Sequence, residues 1–290
     1  ACIRNGAVPE LSRRGWYAPI MPIEDILNVN AYPVNGSGTP GGQALIDRCR
    51  ADLSQSLYCV IPDFVSRQAL RLMAEEATVL RARAYHNHSL RNCYLHQSKD
   101  EALPQDHARN LQDRSSVRMI AYDQVGERSP LKTFYQSEIV QKLVAGIVDE
   151  GPLYPNIDRY QPANYVYYEE GDESSWHFDS DNSFTMTLMI QPADNGGIFQ
   201  MSANTRSATS GNYVQVSEVL TGKREDSTVS IGREPGALCI FKGCHSLHRV
   251  SPVVGDQQRI MGVFVDEFSP GIGGDPRVNA TIYGPRTLAN

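Results

Sequence analysis

Two short segments carry residue types and spacings suited to holding a metal ion. The first is Ser175-Trp176-His177-Phe178-Asp179. On extended backbone, residues two apart point to the same side. His177 and Asp179 can therefore converge on one ion while Phe178 faces away. The second segment runs from His248 through Ser251-Pro252 and Gly255-Asp256 to Arg259. It offers another imidazole on a strand, then a turn, then a return strand opening with a cation. A lone His-x-Asp is weak evidence in a chain with seven histidines; the downstream elements give it weight. Two imidazoles and a carboxylate on one face of an ion form the facial triad of non-haem Fe(II) sites. Three adjacent positions stay open. A 2-oxo acid fills two of them and O2 the third. Arg259, expected deep in the fold, can then pair with the far carboxylate of 2-oxoglutarate through a bidentate bond. His245 is the rival third ligand, but it falls on the opposite strand face, and the spacing to Arg259 favours His248. The rival role for Arg259 is an ion pair with Asp256 or Glu267.

These residues need strands to hold them. After Gly151, short β-rich runs cover 164–169, 184–191, 197–201, 227–231, 237–241, 246–250 and 258–267. Turn signals such as Gly171-Asp172, Pro235-Gly236 and Gly255-Asp256 separate them. Before them, apolar residues at helical spacing predict a helix after Asp63 or Ser66 and another over about 133–149. The polar, His-rich stretch from Tyr85 to Arg114 has no clear assignment. Residues 1–45, broken by prolines and glycines, are expected to be irregular. The expected fold is mainly β with supporting helices, a double-stranded β-helix (a cupin-like jelly roll). It forms one domain over 46–290, with helical support over about 46–150 and the jelly-roll core over about 151–285.

The second half resembles the Fe(II)/2-oxoglutarate-dependent oxygenases, matching their His-x-Asp, distal His and downstream Arg in order. Within them it is most similar to the free amino-acid hydroxylases and radical halogenases typified by the lysine halogenases. The similar stretches include Asn164-Tyr165-Val166-Tyr167-Tyr168, Trp176-His177-Phe178, Phe184-Thr185-Met186-Thr187-Leu188 and Leu247-His248-Arg249-Val250-Ser251-Pro252. The resemblance implies a dioxygenase that hydroxylates an unactivated C–H of a free amino acid or close derivative and releases succinate and CO2. It implies Fe(II), 2-oxoglutarate and O2 as cofactors, and His177, Asp179 and His248 as both metal ligands and catalytic residues. Halogenases of that branch carry glycine where Asp179 stands here, which implies a hydroxylase. Desaturation, cyclisation or hydroxylation of a peptidyl residue is the alternative use of the same iron site. A jelly-roll binding module without turnover is the alternative of another class.

Around the metal, Thr187 and Tyr167 are candidates for contacting the cosubstrate, although each is equally suited to a core position. Candidate substrate contacts are Arg91, in the region where the branch binds a carboxylate, with Asn164, Trp176, Asp181 and Asp266. Lysine-specific relatives carry acidic and His side chains where this chain offers Tyr160, Ser174 and Ser180, a departure that argues against lysine and leaves a neutral or less basic amino acid open. His86, His88, His96 and His107 lack the spacing for tetrahedral closure and read as solvated.

Composition limits the partners. The chain has 290 residues, 27 Lys+Arg against 33 Asp+Glu, and a net charge of −6. This mild acidity argues against nucleic acid or an anionic membrane, and no apolar run reaches membrane-spanning length. A small-molecule substrate is expected. Six cysteines without a CxxC pair read as reduced thiols, and the opening residues show no apolar signal core, so a cytoplasmic location is expected.

Overall fold

The structure, a computed structural model, describes residues 19–32, 39–179 and 184–288. In chain order the elements are α1 (Ile23–Ile26), α2 (Pro40–Ser56), β1 (Tyr58–Ile61), α3 (Arg67–Leu80), β2 (Tyr85–Asn92), β3 (Gln112–Ile120), α4 (Pro130–Tyr135) and α5 (Glu138–Val148). Then come β4 (Tyr154–Pro155), β5 (Ala163–Tyr168), β6 (Ser174–His177), β7 (Thr185–Gln191), β8 (Asn195–Gly196) and β9 (Phe199–Ser202). The chain continues through α6 (Tyr213–Leu220), β10 (Thr228–Ile231), β11 (Leu238–Phe241), β12 (Leu247–Val250), β13 (Val253–Val254), β14 (Arg259–Phe264), β15 (Asp266–Glu267) and α7 (Pro276–Tyr283).

Two antiparallel sheets face each other. The larger has the order β1-β11-β7-β14-β5-β3-β2 and the smaller β10-β9-β12-β6. Residues alternate between faces along each strand. On β5, Val166 and Tyr168 enter the layer between the sheets, where they meet Met189, Phe199, Phe241 and Met261. Tyr165 and Tyr167 turn the other way, onto the helices. Those helices cover the outer face of the large sheet with a continuous apolar layer. Phe134 of α4, fully buried, packs edge-on against Phe64 and lies 5.0 Å from the ring of Phe264. Burying such a side chain stabilises by about 1.5–3 kcal/mol. One buried carboxylate ties this layer to the sheet. Glu76 of α3 accepts hydrogen bonds from Ser129, from the Tyr165 hydroxyl at 2.7 Å and from the Gly126 amide at 3.1 Å.

Each expected run contains a strand that begins within two residues of it, but the run over 258–267 divides into β14 and β15, and β6 lies outside the expected runs; the fold is the jelly roll expected. Three helical details differ. Helix α2 starts at Pro40, inside the stretch expected to be irregular, because Thr39 caps it and proline fits its first position. Helix α3 is capped by Ser66, whose hydroxyl accepts from the Ala69 amide; Asp63 instead sits in a left-handed turn. The single helix expected over 133–149 is two helices, with a fresh cap at Ser137. The unassigned His-rich stretch begins with β2, which pairs with β3 at one edge of the large sheet. Among the described residues, no helix is long and apolar enough to cross a membrane.

Candidate metal and cosubstrate site

The two histidines arrive on neighbouring strands. β6 and β12 pair antiparallel with His177 directly opposite His248, and their ring centroids are 4.2 Å apart. Each ring is oriented by its own backbone. His177 Nδ1 lies 2.7 Å from the Ser175 carbonyl and His248 Nδ1 lies 2.9 Å from the Ser246 carbonyl. A carbonyl can only accept, so Nδ1 carries the proton and Nε2 is left as a free ligand atom. Asp179 sits just past β6. Its Oδ1 is 3.8 Å from His177 Nε2 and 3.4 Å from His248 Nε2. The three ligand atoms lie within 4.8 Å of one another, and they form the one such group among the described residues. His245, in the turn before β12, lines the cavity outside instead.

The surroundings fix the charge of the cluster. Burial favours a neutral Asp179, but His248 and His177 outweigh it and hold the carboxyl well below the usual range. Burial, followed by repulsion from His248 and Arg91, lowers His177 to about 3. Burial also works against a charged His248, but Asp179 reverses the sign and raises it. An anionic carboxylate between a neutral imidazole and a second imidazole is the donor set a divalent ion needs. Phe199 and Phe241 pack against His248 at ring separations of 5.8 and 5.1 Å, closing its far side to water.

Asp179 has a built seat. Its Oδ2 accepts from Thr185, its amide bonds to the Gly243 carbonyl at 3.2 Å, and Arg206 donates to its carbonyl at 3.3 Å. Gly243 gives the carboxylate room: a Cβ there would lie 2.0 Å from Asp179 Oδ2. Gly243→Ala is therefore expected to displace the carboxylate and weaken iron binding by about 10- to 100-fold, the usual cost of disturbing a ligand's support. Iron titration of the variant checks this; unchanged affinity would mean that Asp179 does not hold the ion.

Between the sheets, Arg259 is 1% exposed, and none of its three guanidinium nitrogens has a hydrogen-bond partner. It stacks near the Tyr168 ring at 5.1 Å, and a Cβ on Gly197 would come within 2.9 Å of its Cδ. Burial, then the neighbouring Arg233, lowers its pKa to about 9, so it is charged at neutral pH. A buried cation without a counterion is expensive. This one is shaped to receive a carboxylate, as 2-oxoglutarate would present. Neither Asp256 nor Glu267 pairs with it.

The remaining expected contacts divide into two groups. Arg91 lies on the inward face of β2 and donates to Ser115 Oγ at 3.2 Å, while its Nε is unpartnered. Its charge is felt at His177 and it feels Asp179, so it lies within electrostatic reach of the metal cluster. Thr187 faces the layer between the sheets, where its hydroxyl accepts from Arg233 at 2.6 Å. Five expected contacts lie away from the site or outside the described residues. Tyr167 faces the helices and donates to the Ala77 carbonyl at 2.8 Å; the inward tyrosine is its neighbour Tyr168. A one-residue choice on a strand selects the opposite face. Asn164 is consumed by structure, donating to the Tyr160 carbonyl and accepting from the Tyr283 hydroxyl. Trp176 packs on the outer face of the small sheet beneath the Arg249 guanidinium at 4.7 Å. Asp181 lies outside the described residues.

Asp266 is also away from the site, on β15 beside Gln141. Burial raises its carboxyl to about 7, and Oδ1 has no partner. Its proton is held more tightly in the folded chain than in the unfolded one, where the value is 3.8. Stability from this group therefore falls as pH rises from about 4 to 7, with the full cost above 7. Asp266→Asn is expected to stabilise by on the order of 3 kcal/mol at pH 8 and clearly less at pH 5. Urea melts at both pH values check this; an equal change at each would contradict it.

Outside the triad lies a cavity of about 770 Å³, lined by Tyr94, Arg109, Phe178, Asp179, Arg206 and Tyr213 among others. Asp179 is the sole carboxylate among its described lining residues. Arg206 stacks over Phe178 at 4.2 Å and anchors the Asp179 segment. Arg206, Arg233, Tyr168 and Gly243 were not singled out from sequence, because nothing local marks a loop arginine or an inward tyrosine. The His-rich region forms no second metal group: His86 and His88 stack on each other, and His107 packs on Tyr213.

The family model described as Halogenase D matches residues 42–265. No curated protein gives a significant match. Among solved structures, the non-haem alpha ketoglutarate dependent epimerase SnoN from nogalamycin biosynthesis aligns with TM-score 0.54 and 12% identity, over 81% of this chain and 91% of SnoN. AviO1 from Streptomyces viridochromogenes Tue57 aligns with TM-score 0.53 and 14% identity, over 82% of this chain and all of AviO1 (100%). A prolyl hydroxylase from Trichoplax adhaerens, solved with a hypoxia inducible factor peptide, aligns with TM-score 0.51 and 14% identity, over 78% and 90%. At such identities the likeness is one of fold.

Proposed function

Since the chain belongs to the Halogenase D family, we propose that it is an Fe(II)- and 2-oxoglutarate-dependent dioxygenase that hydroxylates an unactivated C–H of a free amino acid or close derivative. His177, Asp179 and His248 hold the iron, and Arg259 binds the far carboxylate of 2-oxoglutarate. SnoN, of the same fold, has been captured with Fe3+ and alpha ketoglutarate. Bound iron, 2-oxoglutarate and O2 together supply the oxidation, with succinate and CO2 released. The protein's own part is positional. The paired strands fix both imidazoles, Gly243 and Thr185 seat the carboxylate, and the aromatic wall around His248 keeps water away.

The observation that carries hydroxylation over halogenation is the seat built for Asp179. A halide would need the position this carboxylate fills. Substrate class rests on charge: Arg91 lies within electrostatic reach of the triad with an unpartnered Nε, and Arg109 and Arg206 line the cavity outside. These cations suit the carboxylate of an amino acid.

The test is succinate release against a panel of free amino acids in chloride-containing buffer, with mass analysis of the products. A product heavier by one oxygen is expected. A chlorinated product would overturn the reading. A product lighter by two hydrogens would move it to desaturation or cyclisation, and turnover of peptides alone would move it to a peptidyl substrate.

A further inference from the structure

The layer between the sheets holds a second buried arginine that the metal and cosubstrate roles above leave unused. Arg233, in the connection between β10 and β11, is 9% exposed. Its Nη1 donates to Thr187 Oγ1 at 2.6 Å, Nη2 lies 3.9 Å from the Met261 sulfur, and Nε has no partner. The guanidinium sits 4.5 Å over the Phe199 ring. Phe199 also packs on His248 at 5.8 Å, and Met261 follows Arg259 on the same face of β14, so Arg233 stands in the space that runs from the triad to Arg259, and its charge is felt at both. Neither arginine forms an ion pair with a described residue. Two cations that repel each other in a dry interior, without one carboxylate between them and with only Thr187 and the Cys239 thiol beside Arg233, are costly unless anionic charge is brought from outside.

We propose that Arg233 is a second anion-binding residue of the cosubstrate pocket, acting with Arg259 so that the pocket selects a molecule carrying two carboxylates. This deepens the cosubstrate reading above and rests on it. A dicarboxylate such as 2-oxoglutarate compensates both guanidinium groups, whereas a 2-oxo monocarboxylate leaves one buried charge unpaired. Thr187 then acts through Arg233, holding one edge of its guanidinium while Phe199 supports its face. The rival role is structural, with Arg233 serving only as filling between Phe199 and Met261.

Calorimetric titration of the metal-free protein with 2-oxoglutarate and with 2-oxobutyrate separates these roles without any turnover. The wild type is expected to bind 2-oxoglutarate in strong preference to 2-oxobutyrate. Arg233→Met should weaken 2-oxoglutarate about 10- to 100-fold, the range for loss of a charge-assisted hydrogen bond, and should erode the preference. Its melting temperature without ligand should not fall, because one of two repelling charges is gone, while the rise produced by 2-oxoglutarate should shrink. Arg233→Lys keeps the charge but not the fork, and should lose about 3- to 10-fold by the same scale; it carries the test if the methionine variant does not fold. Binding within twofold of wild type in either variant would overturn the proposal while leaving the cosubstrate reading intact. A wild type that binds no 2-oxoglutarate, either metal-free or loaded anaerobically with Fe(II), would overturn both.

Discussion

Asp179→Gly is expected to reduce substrate-dependent succinate formation by on the order of 10³-fold or more, since groups that merely orient a ligand already cost about 10- to 100-fold. The carboxylate is the anionic member of the cluster, and both imidazoles hold it ionised. Removing it leaves two histidines and the space that Gly243 keeps clear. Iron should bind more weakly, and added halide should restore part of that affinity by filling the emptied position. Iron titration with and without chloride, beside a succinate assay, reads both effects. A variant that keeps full hydroxylation would show that Asp179 is not a ligand.

Arg259→Met is expected to lower kcat/KM for 2-oxoglutarate by about 100-fold, the worth of a buried bidentate charge-assisted pair. The KM for the organic substrate should change little, because Arg259 lies between the sheets and the open cavity lies outside the triad. Three unpartnered nitrogens on a side chain that is 1% exposed are the basis of this expectation. Steady-state kinetics with each substrate varied in turn checks it. Equal losses for both would mean that Arg259 supports the fold rather than the cosubstrate.

What could be read from the sequence follows the physics of each signal. His177, Asp179 and His248 were accessible because strand alternation and order along the chain are local properties, and the structure brings their ligand atoms within 4.8 Å of one another. The β-rich half was legible for the same reason. The Tyr85–Arg114 stretch was not: β2 is an edge strand with His86, His88 and Leu90 toward solvent and Asn87, Ser89 and Arg91 inward, so polar residues occupy both faces and no hydrophobic alternation survives. Residue type cannot fix which face of β5 meets the helices, so the sequence does not show that Tyr168 rather than Tyr167 turns inward. Arg233 and Gly243 lay beyond reach because their meaning depends on side chains distant in sequence, Arg259 for the first and Asp179 for the second.

The most direct test is anaerobic titration of the protein with Fe(II) in the presence of 2-oxoglutarate, followed by visible absorption. Three side chains sharing one ion predict a charge-transfer band that saturates at one iron per chain and is lost in His248→Ala. Saturation without a band, or the same band in His248→Ala, would contradict the site.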